Sequence, residues 1–148
     1  MRTNRDAFSL GAAGLAEGTA ANTFKTTNPL TYVINGRSYL KAATDSIAFA
    51  VETALTAAFV ALAAKQVCVF FFFIDSAGTI TVAQSVVVGN AQAAGYVARA
   101  FDWPEVANKA CFGALKMETN NAATFTVNAT DLAAADVVDT FYNVADDY

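Results

Sequence analysis

The chain has 148 residues, 55% hydrophobic and 15% charged. This length suits one domain with a core that needs no metal or disulfide to fold, and the composition excludes a mostly disordered chain. There is no histidine, which excludes a His general base, a Ser-His-Asp or Cys-His site and any His-containing zinc site; the net charge of −4 speaks against nucleic acid as a partner.

Residues 1–22 are rich in Gly and Ala, with Phe8, Leu10 and Leu15 as the bulky apolar side chains. Arg2 and Arg5 imitate the start of a signal peptide, but Asp6 and the glycines interrupt it. The stretch reads as an extended arm, ordered only against something else. Residues 23–148 then form a single domain.

Leu30-Thr-Tyr-Val-Ile34, Asn35-Gly36 and Arg37-Ser-Tyr-Leu-Lys41 predict a hairpin. Asn-Gly supplies the two positive-φ positions of a type I′ turn, which sets Tyr32 near Tyr39 and Ile34 near Arg37. Residues 46–51 alternate as a half-buried strand. Residues 54–64 are Ala-rich and fit either a helix of about three turns or a strand over 58–62; the neighbouring strands tilt the reading to strand.

Val67-Cys-Val-Phe-Phe-Phe-Phe-Ile74 is apolar on both faces, so it predicts a central strand covered on both sides. Asp75-Ser-Ala-Gly78 turns it into the alternating Thr79-Ile-Thr-Val-Ala83, a second hairpin, which residues 85–88 could extend. Residues 92–100 could be a short helix within an excursion over 89–109. A third hairpin is predicted between 110–118 and 124–127. Thr130 or Asp131 then caps a single turn, and 137–144 is a last strand. Many short strands with three hairpins indicate an all-β fold, mainly an antiparallel β-sandwich or barrel, with one or two short helices.

Few residues offer chemistry. Cys68 and Cys111 sit in apolar runs and read as buried small hydrophobes; a bridge between them would need neighbouring strands. Asp131, Asp136 and Asp139 lack the loop spacing of a calcium site, and Asp146-Asp147 lies on a terminal tail. Asn128-Ala-Thr130 matches the glycosylation sequon without a secretion signal. Lys25, Arg37, Lys41 and Lys65 are scattered, as edge-protecting lysines are. The most apolar region, 47–74, is cut by Glu52, Lys65 and Gln66 and is not a membrane span. No catalytic residue, metal ligand or cofactor site is expected, and neither nucleic acid nor membrane is an expected partner. Charge is segregated: Arg2 and Arg5 open the chain, while Asp136, Asp139, Asp146 and Asp147 follow the last basic residue, Lys116. A basic arm and an acidic end could join neighbouring protomers or a shell.

Three segments carry a resemblance: Thr31-Tyr-Val-Ile-Asn-Gly-Arg-Ser-Tyr-Leu-Lys-Ala-Ala-Thr-Asp45, Phe72-Phe-Ile-Asp-Ser-Ala-Gly-Thr-Ile-Thr-Val82, and Gly113-Ala-Leu-Lys116 with Thr124-Phe-Thr-Val-Asn-Ala-Thr-Asp-Leu132. Their pattern resembles small virion proteins of tailed bacteriophages. The resemblance spans roughly residues 23–144 and omits the arm. It implies a non-enzymatic β-sandwich on the outer surface of the head, assembled in the host cytoplasm: a capsid decoration (cement) protein that stabilises the shell. The expected partners are the major capsid protein and further copies of itself, as a homotrimer; Arg2, Arg5, Phe8, Leu10, Asp136, Asp139, Asp146 and Asp147 are the expected contact residues. The alternative is a fibre or spike component that binds host-surface glycans through Tyr39, Trp103 and Tyr142.

Overall fold

The computed structural model describes residues 6–90 and 103–144. One layer is a five-stranded sheet. Its centre is β7 (Gln66–Asp75), flanked on one side by β10 (Lys109–Thr119) and then β11 (Val137–Asn143). The other flank of β7 is shared by β8 (Ile80–Gln84) and the short β9 (Val88–Gly89). The second layer is two three-stranded sheets, each built from separated pieces of residues 7–47. β1 (Ala7–Ser9), β4 (Leu30–Ile34) and β5 (Arg37–Lys41) form one; β2 (Leu15–Glu17), β3 (Phe24–Thr26) and β6 (Thr44–Ile47) form the other. All the ladders within these sheets are antiparallel. The architecture is all-β and sandwich-like.

Both strong hairpins form as the sequence predicts. Asn35 and Gly36 have φ of 50° and 77°, and Tyr32 faces Tyr39 with the rings stacked at 5.5 Å. The Asp75 carboxylate accepts from the N–H groups of Ala77 and Thr79, and Gly78 takes φ 81°. Strand β7 is buried from Val67 to Ile74. Phe70 and Phe72 face the main core, with Phe24, Phe49, Phe112 and Phe125, while Val69, Phe71 and Phe73 pack into a second cluster on the other face with Cys111 and Val106. Cys68 and Cys111 are buried thiols, not bridged to each other, set opposite Met117 and Phe73. Burial pushes the Cys68 thiol up to about 12, so it stays protonated.

Several expectations need correction. The described part of the expected arm is not separate from the domain: β1 pairs with β4, β2 pairs with β3, and Ala7, Ala13 and Leu15 are buried. Small side chains let these segments approach closely, so they build the core by fit rather than bulk. Gly113 shows the same economy. A Cβ there would meet Leu15 Cδ1 at 2.1 Å and the Tyr142 carbonyl oxygen at 2.9 Å, so glycine is what lets β2 lie across β10 beside the bulge at Cys111 and Gly113.

No helix forms among the described residues, and the candidate helix at 92–100 lies outside them. Residues 54–64 are neither helix nor strand. A turn closes on the Glu52 carbonyl, which accepts from Leu55 and Thr56, and an irregular run follows to a bridge between Leu62 and Phe125. Only Phe59 and Leu62 of this run reach the core, too few for either period to win. The expected third hairpin is also different. The partner of β10 across the loop is β11, because Phe125 turns inward onto Phe70 and its backbone pairs with Leu62 instead. The strand expected over 46–51 stops at Ile47, after which Phe49 enters the core and Val51 bridges to Val82. Asp131 does cap a turn, its carboxylate accepting from the N–H of Ala133.

Candidate interaction surface

The sheet β1–β4–β5 buries one face and exposes the other. Ala7, Ser9, Leu30, Tyr32 and Ile34 are buried; by the pleat, Phe8, Thr31, Val33, Ser38 and Leu40 stand on the opposite side. The N–H of Leu10 donates to the carbonyl of Thr31 at 2.8 Å, and Thr31 faces Leu40 across the next ladder. Leu10, Thr31 and Leu40 therefore form one row, with Leu10 51% and Leu40 71% exposed. The hairpin that carries Leu40 is pinned: Asn35 Nδ2 donates to Asn108 Oδ1 at 2.8 Å.

A second apolar surface borders the edge of β8. Residues 53–64 contain no charged side chain, and most of them are exposed. The run is fixed to β8 by Gln84, whose Oε1 accepts from the N–H of Val60 and whose Nε2 donates to the Val60 carbonyl. Thr56 Oγ1 accepts from the N–H of Gln84. Val60 is 58% exposed, Val86 75% and Leu55 44%.

The start of this run is held by a buried ion pair. Glu52 Oε2 lies 2.5 Å from Lys109 Nζ and accepts from Thr81 Oγ1, while Oε1 accepts from the N–H of Ala54. Burial alone would raise the Glu52 pKa; the hydrogen bonds from Lys109, Thr81 and Ala54 outweigh it and hold the carboxyl below its ordinary value. Both carboxylate oxygens accept from these donors, which clamps the start of the run to β8 and β10.

The described members of the predicted contact set fall in two places. Phe8 and Leu10 lie on the exposed face just described. Asp136 and Asp139 do not join them. Asp136 sits at φ 61° before β11, its carboxylate accepting from Asn121 Nδ2. Asp139 lies on β11 against Glu17 of β2, where burial and the charges of Asp139 and Asp131 raise the Glu17 pKa against the opposing pull of Lys25. Arg2, Arg5, Asp146 and Asp147 lie outside the described residues. Tyr39, Trp103 and Tyr142, the rings expected to meet a glycan, are half-buried and do not share one surface: Tyr39 stacks on Tyr32, while Trp103 and Tyr142 pack on the second cluster. The sequence reading missed Leu40, Val60 and Val86.

Among the described residues no group of three or more His, Cys, Asp or Glu side chains could hold a metal ion, and no helix is long and apolar enough to cross a membrane. Comparison with protein-family models, with curated proteins and with solved structures gives no match.

Proposed function

We propose that this chain is a structural protein of a bacteriophage particle, a decoration protein that docks on the head shell. The observation that carries the reading is the charge-free, largely exposed run 53–64, tied to Gln84, with Val86 exposed two residues further along the chain. An exposed apolar run fixed in place by Gln84 and by the Leu62–Phe125 bridge favours being covered, and a permanent neighbour covers it best. The three segments that resemble tailed-phage virion proteins support the same reading, since the first two build the hairpins β4–β5 and β7–β8.

A low-resolution map of the particle, with the chain's copy number measured by quantitative mass spectrometry, tests this. The expected result is density on the head surface and hundreds of copies, with Val60→Asp and Val86→Asp chains folded but missing from the particle. Absence from purified particles, or a few copies confined to the tail, overturns it.

A further inference from the structure

We infer that β5 is a self-association edge: two copies of this chain pair their β5 strands antiparallel about a two-fold axis, with Leu40 opposite Leu40. The backbone of β5 sets this up. In a two-residue hairpin the residues flanking the turn, Ile34 and Arg37, are a hydrogen-bonded pair, so Tyr32–Tyr39 and Leu30–Lys41 are too. The intervening residues of β4 point their backbone groups at β1 instead, as the bonds from Leu10 N–H to Thr31 and from Asn35 N–H to Asp6 show. Their partners on β5, Ser38 and Leu40, must then aim N–H and C=O away from β4. No strand lies there among the described residues, because β5 ends its sheet. An exposed edge of this kind is a template for another strand.

Side chains select the occupant and the register. The only charges on β5 are Arg37 and Lys41 at its ends. An antiparallel pairing centred on Tyr39 would set Arg37 against Lys41 twice, and like charges directly opposite oppose pairing. Centring on Leu40 avoids this. Leu40 then exchanges both backbone bonds with its counterpart, Ser38 faces Ala42, and each Lys41 ammonium stands across from the half-buried ring of Tyr39 in the other copy, a favourable cation–ring neighbour. The rows Leu10–Thr31–Leu40 of the two copies join into one apolar stripe across six strands. A register centred on Ser38 sets Leu40 against Gly36 and leaves its side chain uncovered. A second copy thus satisfies the free backbone and covers the most exposed large apolar side chain of the sheet. The contact does not depend on whether the molecule coats a particle, and it is two-fold rather than the three-fold assembly expected from the sequence.

Cysteine scanning tests it in the full chain, whose own Cys68 and Cys111 are buried and give a low background. Opposed residues of a hydrogen-bonded pair lie about 5.5 Å apart at Cα, within disulfide reach. Under mild oxidation Leu40→Cys should form a covalent dimer, while Ser38→Cys and Tyr39→Cys should not. Light scattering at micromolar concentration should show a dimer that Leu40→Lys converts to a monomer with an unchanged circular dichroism spectrum. A monomeric wild-type chain, a trimer indifferent to Leu40→Lys, or cross-linking at Ser38 or Tyr39 equal to that at Leu40 would each overturn the inference.

Discussion

Glu52 and Lys109 are separated by 57 residues of chain, yet their charged atoms meet at 2.5 Å, with the Glu52 side chain 3% exposed. This pair ties the irregular run after Glu52 to the first residue of β10. Glu52→Gln leaves the ammonium without its counter-charge and should cost about 2–4 kcal/mol, somewhat less than for a fully buried pair because Lys109 keeps some contact with water. The Glu52 pKa is lowered by folding, so its contribution is present above the ordinary value of 4.5 and is lost as the pH falls through the folded value. Urea titrations at neutral pH and near pH 3 check this: the gap between wild type and variant should shrink in acid. An equal gap at both would show that the charge is not what stabilises the site.

Asn128 clips the chain at Phe49 as a backbone strand would. Its Oδ1 accepts from the Phe49 N–H at 3.0 Å and its Nδ2 donates to the Phe49 carbonyl at 2.8 Å. Asn128 also has φ 61°, a conformation that Asn tolerates better than most residues. Asn128→Ala removes both bonds and adds backbone strain, so it should cost about 1–3 kcal/mol. Asn128→Asp keeps the acceptor but sets a carboxylate oxygen against the Phe49 carbonyl in place of the donor, so it should be no better than Ala. Denaturant midpoints check this: Asn128→Ala and Asn128→Asp chains as stable as wild type would show that the clip contributes nothing.

Removing residues 1–17 takes away β1 and β2, the partners of β4 and β3. It also uncovers the surface of β10 at Gly113 that Leu15 covers. The truncated chain is expected to lose its cooperative urea transition and to bind a hydrophobic dye. A sharp transition near the full-length midpoint would restore the independent arm that the composition implies.

That segment shows where the sequence stops being readable. Asn35-Gly36 encodes a turn through positive φ, and the unbroken apolar run of β7 encodes burial on both faces, so the two hairpins are legible from single residues. Ala7, Ala13 and Leu15 carry no such code: an alanine is buried or exposed according to what packs on it. Residues 53–64 fail for the same reason, since their alanines fit helix, strand and neither. Part of the candidate surface was visible, because Phe8 and Leu10 stand out in a Gly/Ala-rich stretch. Leu40 was not. It alternates with Tyr39, and composition alone favours burying the leucine. The stack of Tyr39 on Tyr32, whose hydroxyl donates to the Asp75 carbonyl, decides the opposite face.

Phe72 is the centre of the main core. It is fully buried, with the rings of Phe24 at 4.7 Å and of Phe49 and Phe112 at 6.0 Å. Phe72→Ala loses transfer energy and leaves a cavity that three further rings line but cannot fill, at about 3–5 kcal/mol. Thermal or urea unfolding reads this directly. A loss under about 1 kcal/mol would mean that the two layers close on the void, contrary to the rigid packing that the ladders on both sides of β7 impose.

The contact between Glu17 and Asp139 works against the fold at neutral pH. Burial, then the charge of Asp139 and the hydrogen bond with it, then Asp131, all raise the Glu17 pKa, and Lys25 offsets them only in part. A carboxyl whose pKa rises on folding costs stability at high pH, and that cost is relieved as the pH drops through the folded value toward 4.5. Acidification from neutral pH should therefore strengthen this corner between β2 and β11 before acid weakens Glu52. Glu17→Gln removes the repulsion and should stabilise the protein by a few tenths of a kcal/mol at neutral pH, as partly exposed charges do. The gain should vanish as the pH falls through the folded value of Glu17, where the wild-type carboxyl takes up its proton. Asp139→Asn should act in the same direction, and the double variant should gain less than the sum, because either change alone relieves the shared repulsion. Stability curves of the four chains against pH measure this. Additive effects, or a Glu17→Gln chain less stable than wild type at neutral pH, would show that the two carboxylates are not coupled.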